Sequence, residues 1–265
     1  MTKPSSPNLI DKPTRALLDG DILVYRVAWG AQGEPETIAT ARMETAISGI
    51  LDALEISDYA VYLTSSDKSN FRYDLYPEYK ANRIQEKPQH YEFLRKLLRE
   101  DYGAETIDGA EADDALGYNT NKNHTVICSI DKDLDQIPGW HYNWVKGLLY
   151  HITLIEAQRN FYKQVLTGDR TDNIKGCPKI GPVFAERYTE GCQDETDLLH
   201  VVAELYSQKI KRGDWKDELL LNGNLLWVQR KPGQRWTTSW GEVVSKKLLQ
   251  EFAPNAVLDS TTNPT

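Results

Sequence analysis

Cysteine is scarce in this chain. The 265 residues include three, Cys128, Cys177 and Cys192. They are odd in number and widely spaced, and Cys128 sits inside the apolar run "TVICSI", so neither a disulfide framework nor a zinc site follows. Long apolar runs are missing too, and no segment is expected to span a bilayer. The opening stretch "MTKPSSPNLIDKPT" is polar and proline-rich, without the apolar region of a signal peptide. The expectation is a soluble, intracellular protein with a loose N-terminus. Positive charge is in deficit: 31 Lys and Arg against 39 Asp and Glu give a net charge of −8 and a pI near 5.2. Nucleic-acid partners usually show as a basic surplus, so this balance speaks against one. That argument fails if many acids are metal ligands, because bound ions reverse the local charge.

With 40% hydrophobic and 26% charged residues, the chain suits one large globular domain or one with a smaller appended module. "ALLD" (16–19) reads as a short buried strand, and the following "DILVYRVAWG" as either a buried helix or an extension of it. A helical pattern at Ala39, Met43, Ala46, Ile47, Ile50, Leu51 and Leu54 leads to "YAVYLTSSD", a strand ending on an acid. The loop "KSNFRYDLYPEYKANRIQEKP" precedes a helix carrying Tyr91, Phe93, Leu94, Leu97 and Leu98. Short "AETI", the helix of "EADDALG" and the strand "HTVICSID" follow, then "WHYNW" and "LLYHITL" as further strands. Alternation up to about residue 155 predicts an α/β fold, a mostly parallel sheet flanked by helices. From Ile155 the pattern is helical, and the tail "SKKLLQEFAPNAVLDSTTNPT" is expected to be disordered.

In open α/β sheets ligands bind beyond the carboxyl ends of the strands, which is where the acids fall. Asp19 ends the first strand and Asp67 follows the second. Glu111, Asp113 and Asp114 open a helix, Asp131 and Asp133 close "SIDKD", and "TGDRTDN" adds Asp169 and Asp172, which share a face if that segment is helical. Any one of these is most simply a cap or a solvated loop residue; Asp21 is read as a helix cap and left outside the site. On a regular helix Asp113 points away from Glu111 and Asp114, so all three converge only if Glu111 sits in the cap. Repeated placement at strand ends favours a joint site. Carboxylates without His or Cys select hard ions, magnesium with manganese as substitute, and this many acids imply two ions. Two such ions suit phosphodiester hydrolysis.

The phosphate side is expected in "SDKSNFRYDLYPEYKANR", where Lys68, Arg72, Lys80 and Arg83 alternate with Phe71, Tyr73, Tyr76 and Tyr79. Cations would meet phosphates and rings would stack on bases, or the tyrosines pack inward. In "IKGCPKIGPVFAERY", Gly176 and Gly181 bracket a turn before a helix, with Lys175 and Lys179 nearby, a place for a phosphate or an ordinary corner.

Taken together, "LLDGD", "YPEYKANR", "EADDALG", "SIDKDLDQI" and "GDRTDNIKGCPKIG" resemble, in order, the motifs of the metal-dependent 5′-nucleases: flap endonucleases, the 5′-nuclease domains of bacterial DNA polymerases, and phage 5′ to 3′ exonucleases. Within that family "YKANR", "KPQHYEFL" and "IDKDLDQIPG" are similar to short phage exonucleases of the T7 type. The resemblance implies a PIN-like core (1–154), a helix-three-turn-helix module that binds DNA (155–190) and a helical C-terminal region (191–265). It assigns Asp19, Asp67, Glu111, Asp113 and Asp114 to a first metal cluster, and Asp131, Asp133, Asp169 and Asp172 to a second. Lys80 and Arg83 match basic residues at the scissile phosphate, Tyr79 an aromatic that stacks on the terminal base, and the glycine turn a duplex clamp that often holds potassium. The partner implied is duplex DNA with a 5′ end, the protein being a monomer in the host cytoplasm if phage-encoded. The stretch from Arg83 to Glu111 is too short for the long helical arch of many flap endonucleases. Exonuclease action releasing 5′-phosphorylated products is therefore expected first, with cutting of flaps or RNA–DNA hybrids as side activities. A PIN-type ribonuclease leaves the glycine turn and the second acid pair unexplained, and a catalytically silent DNA-junction binder would not need the acid set.

Overall fold

The computed structural model describes residues 12–236 apart from 68, 85, 122, 212 and 213. Residues 1–11 of the start expected to be loose (1–14), and the polar tail (245–265), therefore lie outside the described residues, as does Lys68. Strand β1 (Arg15–Asp19) is central: it pairs in parallel with β2 (Asp58–Thr64) on one side and with β4 (Thr125–Cys128) on the other. β3 (Glu105–Ile107) adds in parallel beyond β2, and β5 (Gly139–Asn143) in parallel beyond β4. β6 (Leu148–Ile152) closes the edge as an antiparallel hairpin partner of β5. The sheet order is β3-β2-β1-β4-β5-β6. After β1 the chain fills one side of the sheet and then the other, so the strand order reverses between β1 and β4. A crevice forms at the carboxyl ends of those two strands.

Alternation along β1 sends Leu18 to one face and Leu17 to the other. On the first face Leu18, Val61, Leu63, Val126 and Cys128 meet helices α1 (Gly20–Gly30), α2 (Glu36–Leu54) and α4 (Tyr91–Asp101). The ambiguous stretch after β1 is helical because Asp19 accepts from the Ile22 amide at 3.1 Å and turns the chain at once. Gly20 lets that turn lie flush on β2: a Cβ there would stand 2.5 Å from the Tyr62 carbonyl oxygen. On the second face Leu17, Ala60, Tyr62 and Ile127 meet α5 (Ala112–Asn119) and Leu134 of a 3₁₀ turn, Lys132–Gln136.

The segment read as a plain loop before Tyr79 contains a short helix, α3 (Phe71–Leu75), started by Asn70, whose side chain accepts from the Arg72 amide at 2.8 Å. Helices α6 (Leu154–Thr167), α7 (Pro182–Thr189), α8 (Glu195–Lys209) and α9 (Trp215–Leu226) share a separate core built on Phe161, Tyr162, Val165, Tyr206 and Trp236. The stretches before and after residue 190 thus pack as one body. Tyr79 belongs to this core too, with Tyr73 and Tyr76 packed against it, so the basic-aromatic segment bridges the sheet layer and the helical layer.

Candidate active site

Asp19 ends β1 in the crevice, 1% exposed, with one oxygen on the Ile22 amide and the other accepting from Ser129 Oγ at 2.7 Å. Ser129 follows β4 and in turn accepts from the Asp131 amide at 3.0 Å, which ties the two strand ends together. Burial pushes the Asp19 carboxyl up to about 7, against the pull of Ser129 and with help from Asp21 and Asp131. Asp113, on the first turn of α5, is raised well above the carboxylate range by burial and then by Asp19, Asp131 and Glu111. Asp131 caps the 3₁₀ turn by accepting from the Asp133 amide at 2.9 Å; burial raises it, and Asp169 and Asp172 raise it further. Asp133 accepts from Gln164 of α6 at 2.7 Å and is pushed up to about 7 by burial, Asp131 and Asp169. Asp19, Glu111, Asp113, Asp131, Asp133, Asp169 and Asp172 therefore act on one another across a single crevice.

Glu111 is the exception in sign. Burial alone would raise it, but Lys80 and Arg72 more than offset that and leave it at about 2. Lys80 Nζ lies 2.6 Å from Glu111 and 3.7 Å from Asp172. Arg83 pairs with Asp172 on its outer side. Tyr79 places its hydroxyl 3.0 Å from Asp172 and 3.2 Å from Glu111. Burial would depress the Lys80 ammonium, but Glu111 and Asp172 raise it, so it stays a cation. As the side chains stand, no three acids among the described residues close around one point as a ready cage. Like charges spread apart, and Glu111 and Asp172 are drawn to the two cations.

Several expected site residues lie elsewhere. Asp67 is exposed in the loop after β2, where it accepts from the Ser69 amide at 2.9 Å, and Ser69 and Ser65, not the crevice acids, are the groups that chiefly lower its carboxyl. Asp114 turns inward and accepts both forks of Arg72, at 2.7 and 2.9 Å, together with the Gln229 amide at 2.9 Å. Arg72 therefore does not face phosphate. It is 2% exposed and also donates to the Leu225 and Trp227 carbonyls, fastening α3 to the C-terminal end of α9. Tyr79, 2% exposed with its hydroxyl held by the acids, is not placed to stack on a base. Asp21 is no helix cap, since Asp19 takes that role; it joins Arg95 at 2.7 Å and the Thr64 amide at 3.1 Å. "TGDRTDN" is a turn rather than a helix, closed by a bridge between Asp169 and Ile174. Asp169 and Asp172 converge because Asp169 accepts from the Thr171 and Asp172 amides.

Gly176 sits at φ 66°, and a Cβ there would meet the Gly168 nitrogen at 2.3 Å; Gly168, at φ 68°, is the mirror of this approach and has no sequence signal beyond its place in "TGD". Gly181 caps α7 in ordinary extended backbone with nothing near its absent Cβ. Lys175 and Lys179 are exposed on the same turn, beside a groove of about 730 Å³ that Asn82, Arg170 and Asn173 also line. Ser129, Asn70 and Asn82 were missed from sequence because single small polar residues in loops carry no pattern. Asn70 donates to Glu111 at 3.0 Å.

A parallel sheet with an acid-lined crevice at its switch point and two cations against it defines a resolvase-like, PIN-like nuclease fold. Residues 14–167, more than half of the chain, match the family described as 5′-3′ exonuclease, N-terminal resolvase-like domain, and the chain belongs to that family. It is 29% identical over 188 residues to the 5′-3′ exonuclease of Buchnera aphidicola subsp. Schizaphis graminum, covering 62% of this chain and 66% of that one. It is 31% identical over 178 residues to DNA polymerase I of Rhizobium leguminosarum, covering 60% of this chain. The chain thus spans just under two thirds of the first relative's length and 17% of the second's. The fold is similar to that of the bacteriophage T5 D15 flap endonuclease in a complex with DNA and metal ions, with a TM-score of 0.60 and 20% identity over 88% of this chain and 95% of that one.

Proposed function

We propose that the chain hydrolyses DNA from 5′ ends with two divalent ions, magnesium or manganese, releasing 5′-phosphorylated products. The observation that carries this reading is the crevice itself. Seven carboxylates from separate segments act on one another across it, two of them pushed to about 7 by burial, next to a lysine that stays charged. The donors are all oxygen, which fits hard divalent ions rather than zinc. Asp19, Glu111 and Asp113 would hold one ion, and Asp131, Asp133, Asp169 and Asp172 the other. Such ions, when bound, supply an activated water and offset charge on the departing oxygen.

The chain's own residues do the rest. Ser129 orients Asp19 toward the crevice, Gln164 orients Asp133, and Lys80 and Arg83 hold the phosphate in line and neutralise charge as it develops. Lys80 is protonated, so it acts as a cation and not as a base. Among the described residues α4 is the only helix between Arg83 and Glu111, and it is packed on the sheet through Leu94 and Leu98 instead of arching over the crevice. That favours exonuclease action over threading of a flap, which with cutting of RNA–DNA hybrids remains the second reading. The turn around Gly176, with Lys175 and Lys179, would clamp the duplex backbone, with potassium at its carbonyls. The protein would act as a monomer. Among the described residues no helix is long and apolar enough to cross a membrane. The test is Asp131→Asn, expected to abolish cleavage in magnesium while duplex binding in calcium persists; loss of both together counts against the assignment.

A further inference from the structure

The basic segment is fastened to the acid-bearing turn by a reciprocal pair of amides. Asn82 Nδ2, from the basic side, donates to the Arg170 carbonyl at 2.6 Å. Asn173 Nδ2, from the turn, donates back to the Glu78 carbonyl at 2.9 Å. Between these two ends the Lys80 amide donates to the Asp172 carbonyl at 3.0 Å, and Arg83 Nε to the Thr171 carbonyl at 3.4 Å. Lys80 and Asn173 both hold left-handed backbone, at φ 56° and 61°, one on each side of this contact. Asparagine accepts that conformation readily and lysine does not. Strained backbone persists where its surroundings over-determine it, and it concentrates at functional sites. Here the two amides supply the surroundings.

We propose that Asn82 and Asn173 are positioning residues: by pinning 78–83 to 170–173 from both ends, they hold Lys80 between Glu111 and Asp172, with Arg83 on the outer side of Asp172. Among the described residues neither amide is hydrogen-bonded to a carboxylate of the crevice; each bonds a backbone carbonyl of the opposite segment and acts by placing the side chains those segments carry. This rests on the nuclease reading above, in which Lys80 and Arg83 meet the phosphate.

The experiment measures single-turnover cleavage of a 5′-labelled duplex in magnesium, and duplex affinity in calcium, for the wild-type chain, Asn82→Ala, Asn173→Gly and Lys80→Met. Glycine at 173 keeps the left-handed backbone and removes only the amide. Each asparagine variant is expected to slow the chemical step by about tenfold, as a small misplacement of a phosphate-binding group would, with affinity in calcium changed by less than about twofold. Lys80→Met combined with Asn173→Gly is expected to lose less than the product of the two single losses, because part of the amide's effect works through the lysine and the rest through Arg83. Asn82→Gln, which keeps a donor, and Asn173→Asp, which keeps the shape without one, cover the case in which a first variant folds poorly; the former recovers rate and the latter does not. Wild-type rates in both deletions, or fully additive losses in the double variant, overturn the positioning role. A wild-type chain that releases no label overturns the nuclease reading itself, which separates the two failures.

Discussion

Asp19 is the residue whose cost to the fold is most open to measurement. Its carboxyl is raised from 3.8 to about 7 chiefly by burial, with Ser129 and the Ile22 amide opposing that rise. A shift of that size corresponds to a penalty of roughly 4 kcal/mol on the charged form. Below pH 3.8 both folded and unfolded chains carry the proton, and the penalty vanishes. Between 3.8 and about 7 the folded chain keeps a proton that the unfolded chain has lost, so this group's contribution falls as pH rises through that window and is fully unfavourable above it. Asp19→Asn removes the charge but must place an amide where a carboxylate accepted two hydrogen bonds, which costs about 1 to 2 kcal/mol. In chelator at pH 8, urea denaturation is expected to show the variant more stable than wild type by about 2 kcal/mol, with the advantage gone near pH 4. Saturating magnesium should reverse the order, since binding to the wild type alone adds about 2.7 kcal/mol at a hundredfold excess over Kd. A variant that is no more stable at pH 8, with the wild-type pH dependence, would refute the idea that Asp19 is an unpaired buried charge.

Other substitutions separate the buried framework from the phosphate-facing surface. Arg72→Met strands Asp114 without its partner in the interior, so thermal or urea unfolding should show a loss of about 3 to 5 kcal/mol; a stable variant with weakened DNA binding would instead return Arg72 to the phosphate surface. Gly176→Ala drives a methyl into the Gly168 backbone in a left-handed conformation, and it should destabilise the turn by more than about 1 kcal/mol. Gly181→Ala, with open space around its Cβ, should change stability by less than about 0.5 kcal/mol in the same assay.

The acids were legible in the sequence because strand ends are. β1, β2 and β4 announce themselves by apolar runs, and a parallel sheet gathers whatever follows their carboxyl ends, which brought Asp19, Asp131 and Asp133 together. Facing was not legible. Asp113 and Asp114 are neighbours in sequence, and which one enters the crevice is decided by Arg72, 42 residues from Asp114. The same arginine reaches Leu225, 153 residues on. Basic residues interleaved with tyrosines have the same composition whether they turn to solvent or inward, and Arg72 and Tyr79 turn inward against a helical core that no local pattern connects to them. Asp67 follows a strand as Asp131 does, but its loop turns the carboxylate back onto Ser69. The turn at 169–174 was found by its acids and glycine, while its closure by a backbone bridge, and the approach of Gly168 to Gly176, are tertiary facts.

The most direct test of the central claim, that gathered carboxylates and two cations make a 5′-directed nuclease, is a duplex labelled separately at its 5′ and 3′ ends and incubated with the chain in magnesium. The account expects the 5′ label to be released first, as a mononucleotide, and no release when magnesium is chelated. Release from the 3′ end first, or release that continues in chelator, would contradict it.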